Sequence, residues 1–262
     1  MTRPNVVSPR GSFRTFVYTM INLLSNMPRD MRDHHAMHVG MDAAPPGLWM
    51  EFGVFRGDTL TLMAQRHAPQ LVHGFDSFRG LPEKWRNVTD RNLLKYTERG
   101  AFDMGGRPPS LDVSNVALHK GWFNESLPRF LQDHPEDIAF LHIDSDLYSS
   151  AKLVLTQCLQ QMKNGSVLVF DELFNFPSYK AGELRALYDV FHGKRYSFEL
   201  LGHSLDKVLA SPHSEHWPQA VAMRLLVAAQ HEASPSTQPA RRRGRRKNQD
   251  GSPEHRTRIH LF

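Results

Sequence analysis

"DIAFLHIDSDLYSSAKLVLTQCLQQMKNGSVLVFDEL", residues 137 to 173, is an apolar run, a helical pattern and a second apolar run in direct succession. "DIAFLHID" and "GSVLVFDEL" are short and almost continuously hydrophobic, the pattern of strands covered on both faces. Between them, "SAKLVLTQCLQQMK" spaces its apolar residues at helical intervals. A strand, a crossover helix and a second strand parallel to the first make one right-handed unit of a parallel sheet. Each strand also ends in acids: Asp144 and Asp146 after the first, Asp171 and Glu172 after the second. Neighbouring carboxylates repel, and withdrawal from water adds to the cost. A helix N-terminus, a cation, a hydrogen-bonding ligand or plain solvent must offset it.

Moving outward, the same alternation recurs. "GLWMEFGVFRGDTLTLMAQRH" reads as a strand, a glycine turn and a helix, and "LVHGFDSF" as a strand ending in an acid. "NVALHKGWF" is a further strand and "SLPRFLQDH" a helix; another helix is expected over Lys180 to His192, then strands in "RYSFELLG" and after His216. Such alternation predicts an α/β fold with a mostly parallel sheet and helices on both faces. Before it, Ser12 to about Asp33 reads as one amphipathic helix, with Phe13, Phe16, Val17, Met20, Ile21 and Leu24 at helical spacing. The domain organisation that follows is an N-terminal helical extension over 1–46 and a catalytic domain over 47–230. A lid or substrate loop is expected over 85–115, which is polar, Gly/Pro-rich and too long for an ordinary connection. A disordered basic tail is expected over 231–262.

The net charge of +5 belongs to that tail: eight of the 32 Lys/Arg and three of the 27 Asp/Glu follow residue 230, so the body is neutral. Arg241, Arg242, Arg243, Arg245, Arg246 and Lys247 would offer a contact to nucleic acid or another acidic surface, or simply keep the chain soluble. A single cysteine, Cys158, excludes an intrachain disulfide framework and a cysteine zinc site, and its helical setting reads as core. No apolar run reaches the roughly 18 residues of a membrane helix. "FVYTMINLL" lacks a small-residue cleavage site and is not read as a leader, so a cytoplasmic protein is expected.

In open parallel sheets, ligands bind beyond the carboxyl ends of the strands. There this sequence places Glu51, Gly53 and Gly57, then Asp76 and Ser77, then Asp144 and Asp146, then Asp171 and Glu172. The turn E-x-G-x-x-x-G is not the dinucleotide fingerprint, because Val54 to Arg56 are bulky where that motif needs small residues. An acid ending the next strand suits ribose hydroxyls. Together the two features point to a nucleoside with a cationic tail, S-adenosylmethionine.

"MEFGVFRGDTL", "HGFDSFRGLPEKW", "GWFNESLPRFL", "LHIDSDLYSS" and "GSVLVFDEL" resemble, in that order, the TylF/macrocin O-methyltransferase family, over roughly residues 48 to 190. These are class I S-adenosylmethionine-dependent methyltransferases. The resemblance implies a Rossmann-like, seven-stranded sheet. It implies that Glu51, Gly53, Gly57, Asp76 and Ser77 bind the methyl donor, with Gly121, Trp122 and Phe123 near the adenine. Family members also set an acid after the fourth strand and an acid pair after the fifth. Here that pair is Asp171 and Glu172, where an Asp-Asp pair is usual.

Methyl transfer to a hydroxyl needs the oxygen deprotonated and held in line with the methyl group. A bound Mg²⁺ achieves both, and Mg²⁺ favours carboxylate oxygens. Asp144, Asp171 and Glu172 are therefore expected to hold a cation, with Asp144 also the candidate base. Asp146 is expected to cap the helix beginning near Ser149, and His142 to be a core histidine; His119, Lys120 and His203 are weaker base candidates. The resulting expectation is a metal-assisted O-methyltransferase acting on a small hydroxylated molecule such as a natural-product sugar. Two competitors are a methyltransferase that docks a macromolecule through the tail and a catalytically silent ligand-binding protein. Homo-oligomerisation through the N-terminal helix is a further expectation.

Overall fold

The computed structural model describes residues 5–28, 34–86, 96–174, 178–204 and 219–228. The basic tail, residues 87–95 of the expected lid and the end of the expected first helix lie outside the described residues. Among the described residues, eight strands form one sheet: β1 (Val6–Val7), β2 (Leu48–Phe52), β3 (Val72–Asp76), β4 (Val116–Lys120), β5 (Ile138–Ile143), β6 (Met162–Phe170), β7 (Tyr196–Ser204) and β8 (Ala220–Val227). Their order is β1-β7-β8-β6-β5-β2-β3-β4. The run β6-β5-β2-β3-β4 is parallel throughout, and β8, β7 and β1 extend it antiparallel. The α/β reading holds, with one strand more than the seven expected: the two-residue β1, too short for any period to reveal.

Six α-helices are described: α1 (Phe13–Ser25), α2 (His35–Ala43), α3 (Asp58–His67), α4 (Phe123–Asp133), α5 (Tyr148–Cys158) and α6 (Glu183–Phe191). The single helix expected over Ser12 to Asp33 is corrected. Ser12 caps α1 through its hydroxyl, as the sequence suggested, but the helix stops at Ser25. Pro28, which lacks an N–H and pushes the preceding residue out of the helical region, bars its continuation. α2 lies within the expected helical extension, in a stretch where no helix was singled out. It packs on the sheet where Gly40 allows close approach: a Cβ there would lie 2.7 Å from Val169 Cγ2.

The sheet carries a core on each face. Met50, Phe52, Leu141, Ile143, Leu168 and Phe170 face α1, α4, α5 and α6, while Trp49, Phe140, Val167 and Val169 face α2 and α3. Cys158 is fully buried in the first of these, as its setting predicted. Register then fixes the functional edge. Phe52 pairs with Phe75 and with Ile143, and Ile143 with Phe170, so β2, β3, β5 and β6 run out level. Gly53, Asp76, Asp144 and Asp171 consequently stand side by side along one rim.

Candidate active site

A cavity of about 950 Å³ opens on that rim. Among the expected site residues, Gly53, Asp76, Ser77, Trp122, Phe123, Asp144, Asp171 and Glu172 line it, and Asp146 joins them. Glu51, Gly57 and Gly121 do not line it. Strand alternation turns Glu51 into the core, where it is fully buried and bonded to His142 Nδ1 at 2.8 Å. Gly57 forms the left-handed turn (φ 85°) that starts α3, and Gly121 the extended turn into α4. His142 is the core histidine expected, with its Nε2 buried and unpaired.

Gly53 is held by space. With φ at 96°, it brings its backbone so close to the next rim loop that a Cβ would fall 1.8 Å from the Asp144 carbonyl oxygen. Asp76 organises the adjoining turns. Its Oδ2 accepts the N–H groups of Val54 and Phe55, each at 2.9 Å, and its Oδ1 accepts the N–H of Phe78 at 2.7 Å. Three of its roughly four acceptor positions are thus taken by backbone. The carboxylate still lines the cavity.

In the same cavity the acids converge. One carboxylate oxygen from each of Asp144, Asp171 and Glu172 lies within 4.8 Å of the other two. The extra methylene of Glu172 therefore does not turn it away. All-oxygen donors at this spacing suit a hard divalent cation, since Mg²⁺ and Ca²⁺ hold oxygens at about 2.0–2.6 Å. Glu172 Oε2 is buried with no protein partner, an acceptor that such an ion would satisfy.

Burial, then the charge of Asp171, pushes the Asp144 carboxyl well above the usual carboxylate range, and the same two causes act in the same order on Glu172. Asp146 is raised to about 7 by burial and by Asp171, against the pull of Arg86. The expected capping role of Asp146 is not found: α5 has Leu147 at its N-cap and no side-chain cap. Asp146 instead sits at a left-handed φ of 61°, which directs its side chain into the cavity wall. Non-glycine residues held there tend to mark functional sites.

The loop from Ser77 onward supplies the opposite wall with Leu81, Pro82, Trp85, Tyr96 and Phe102. It is tied back on itself by Leu81 and Ala101, and by the Trp85 N–H to the Thr97 carbonyl at 2.8 Å. Ser149, at the start of α5, donates to Glu83 and joins the loop to the rim. Phe55 and Phe102 meet edge to face at 5.3 Å. The described parts of the expected lid therefore form a cavity wall. His119 lies away from this wall, stacked among His73, Phe75 and Phe130; Lys120 and His203 also do not line it.

Two neighbours of the acids were not foreseen. Arg86 is 7% exposed, rests its guanidinium 4.1 Å from the Trp85 ring centroid and acts on Glu172 and Asp146. Nothing in the local sequence pairs it with residues so distant along the chain. Glu183, the first residue of α6, is fully buried and accepts the Ser145 N–H at 3.2 Å. A signal for it existed: Glu183, Leu187 and Val190 share one helical face, so an acid stands on an apolar stripe.

Residues 15–188 match the family of macrocin O-methyltransferases (TylF). The chain is 27% identical over 161 residues to demethyldecarbamoylnovobiocin O-methyltransferase of Streptomyces niveus, covering 55% of this chain and 60% of that enzyme. It thus spans less than two thirds of that relative's length. The crystal structure of CalS11, a calicheamicin methyltransferase, superposes with a TM-score of 0.50 at 24% identity, over 78% of this chain and 88% of CalS11. The O-methyltransferase NovP follows at 0.45 and 22% identity, over 72% and 78%. The likeness to CalS11 is one of fold.

Proposed function

The chain belongs to the macrocin O-methyltransferase (TylF) family, and on that premise we propose that it moves a methyl group from S-adenosylmethionine to a hydroxyl of a small molecule with the help of a divalent cation. The observation that carries this reading is the meeting of Asp144, Asp171 and Glu172 within 4.8 Å, in a cavity that also presents Gly53 and Asp76. S-adenosylmethionine, when bound, supplies an electrophilic methyl on a sulfonium, and the cation supplies charge that acidifies the acceptor hydroxyl. On this reading the donor's C–S bond would break as the new O–C bond formed, and the hydroxyl proton would pass to an acceptor on the chain.

The chain's own residues divide that work. Gly53, Ser77, Trp122 and Phe123 would bound the methyl donor, with Asp76 fixing the turns they stand on. Asp144, Asp171 and Glu172 would hold the cation. Asp144 is also the candidate acceptor of the hydroxyl proton, since it stands in the cavity beside the cation position. Phe55, Tyr96, Phe102 and Trp85 would shield the reacting atoms from water and offer ring faces to the C–H face of a sugar. The Streptomyces relative, named for demethyldecarbamoylnovobiocin, supports a small acceptor, and we favour a sugar hydroxyl.

Calorimetry with S-adenosylhomocysteine, followed by methyl-transfer assays with and without EDTA, tests both halves. Binding in the micromolar range and loss of turnover with EDTA are expected. Asp171→Ala should lower kcat/KM by about 10²-fold or more while S-adenosylhomocysteine still binds. Absence of S-adenosylhomocysteine binding rejects the methyltransferase reading. Full turnover in EDTA, together with an active Asp171→Ala, rejects the cation alone.

A further inference from the structure

Glu183 has no part in the chemistry above, yet it is fully buried at the acid rim and its Oε2 has no partner. Burial raises its pKa, and Asp146 and Asp171 add repulsion. A carboxylate kept in such surroundings needs a compensating task. Its contacts indicate one.

The last ladder bond between β5 and β6 is the Asp171 N–H to the Ile143 carbonyl, at 3.0 Å. Beyond it the two chains separate into the loops that carry Asp144 and Glu172. Glu183 Oε1 accepts the Ser145 N–H at 3.2 Å, with the Ser145 hydroxyl at 3.4 Å, and the backbone N–H of Glu172 acts on the same carboxylate from the other loop. One side chain from a third element therefore bridges both loops where the sheet no longer does. α6 holds it in place, with Leu184, Leu187 and Phe191 fully buried.

We propose that Glu183 is a positioning residue, a carboxylate clamp that sets the distance between the loop of Asp144 and the loop of Glu172 and so the geometry of the cation site. The proposal rests on the cation reading given under "Proposed function". The clamp acts by accepting the Ser145 N–H and by facing the N–H of Glu172, so an amide can replace it, whereas a shorter acid or an apolar side chain cannot. A shift of about 1 Å in either loop is enough to disperse three converging ligands.

Three variants and three readouts test it. Glu183→Gln keeps the accepting oxygen, Glu183→Asp keeps the charge but falls one methylene short, and Glu183→Leu removes both. Amide hydrogen exchange at Ser145 and Glu172 is measured without metal, Mn²⁺ affinity by electron paramagnetic resonance, and S-adenosylhomocysteine affinity by calorimetry. Glu183→Asp and Glu183→Leu should exchange about tenfold faster at both amides and bind Mn²⁺ about 10–100-fold more weakly. Their S-adenosylhomocysteine affinity should stay within about threefold, and Glu183→Gln should stay within about threefold of wild type on every readout. If Glu183→Leu does not fold, Glu183→Asp against Glu183→Gln carries the comparison. Wild-type exchange and Mn²⁺ affinity in Glu183→Asp overturn the proposal, as does a Glu183→Gln that fails alongside the others. A wild-type protein that binds no Mn²⁺ overturns the cation reading first, and the metal half of this proposal with it.

Discussion

Asp76 shows what one residue does in this site and how far a sequence can announce it. An acid ending the strand after a glycine turn marked Asp76 as a candidate for the methyl-donor site, and it lines the cavity. Its three backbone partners were not readable, because they depend on how the turns at Val54–Phe55 and Phe78 fold back around it. Hydrogen bonds to a charged group contribute about 1.5–3 kcal/mol each. Asp76→Asn replaces one accepting oxygen with a donor facing another N–H. Calorimetry should show S-adenosylhomocysteine affinity lowered by about tenfold or more, with a lower melting temperature. Unchanged affinity would mean that the turns are fixed by something else. The acid trio was equally legible, as residue types at strand ends; its buried neighbours Glu183 and Arg86 were not, since both arrive from other elements.

Strand–helix alternation was readable at the scale of elements because each piece carries its own period. α2 escaped because its nine residues, "HAMHVGMDA", mix histidines and a glycine into a short apolar stripe. Only the packed sheet reveals why the glycine is there. Gly40→Ala places a methyl 2.7 Å from Val169 Cγ2 and 3.2 Å from Phe140. Overpacking of this kind costs about 1–3 kcal/mol, visible as a melting temperature several degrees lower. Because α2 packs on the sheet face below the rim, S-adenosylhomocysteine affinity should not change. A variant as stable as wild type would show that the helix can slide away at no cost.

The molecule as a whole answers to pH through a second cluster, remote from the cavity. His73, on β3, bonds His119 at 3.1 Å and lies among Phe130 and His134. Burial, with lesser repulsion from His119 and His134, lowers its pKa from 6.5 to about 4. The folded protein then keeps His73 neutral where the unfolded chain would protonate it. Its stability is intact above about pH 6.5 and is lost as pH falls toward 4, by up to about 3 kcal/mol. The acid rim titrates in the opposite sense, so the comparison must be with His73→Phe, in which the rim is unchanged. Melting curves from pH 7.5 to 4.5 should show wild type losing ground to this variant as acid is added. Parallel curves would exclude the histidine.

Strand order has a further consequence, for biosynthesis. Among the described strands β8 is the last to be made, yet it lies between β6 and β7. A nascent chain that has emerged only as far as β7 has nothing to join that strand to the rest of the sheet, and both β6 and β7 present bare edges. Exposed edges invite pairing with other chains. Ribosome-bound chains stopped before Ala220 should therefore engage holdase chaperones, and release from them should await synthesis of Ala220–Val227.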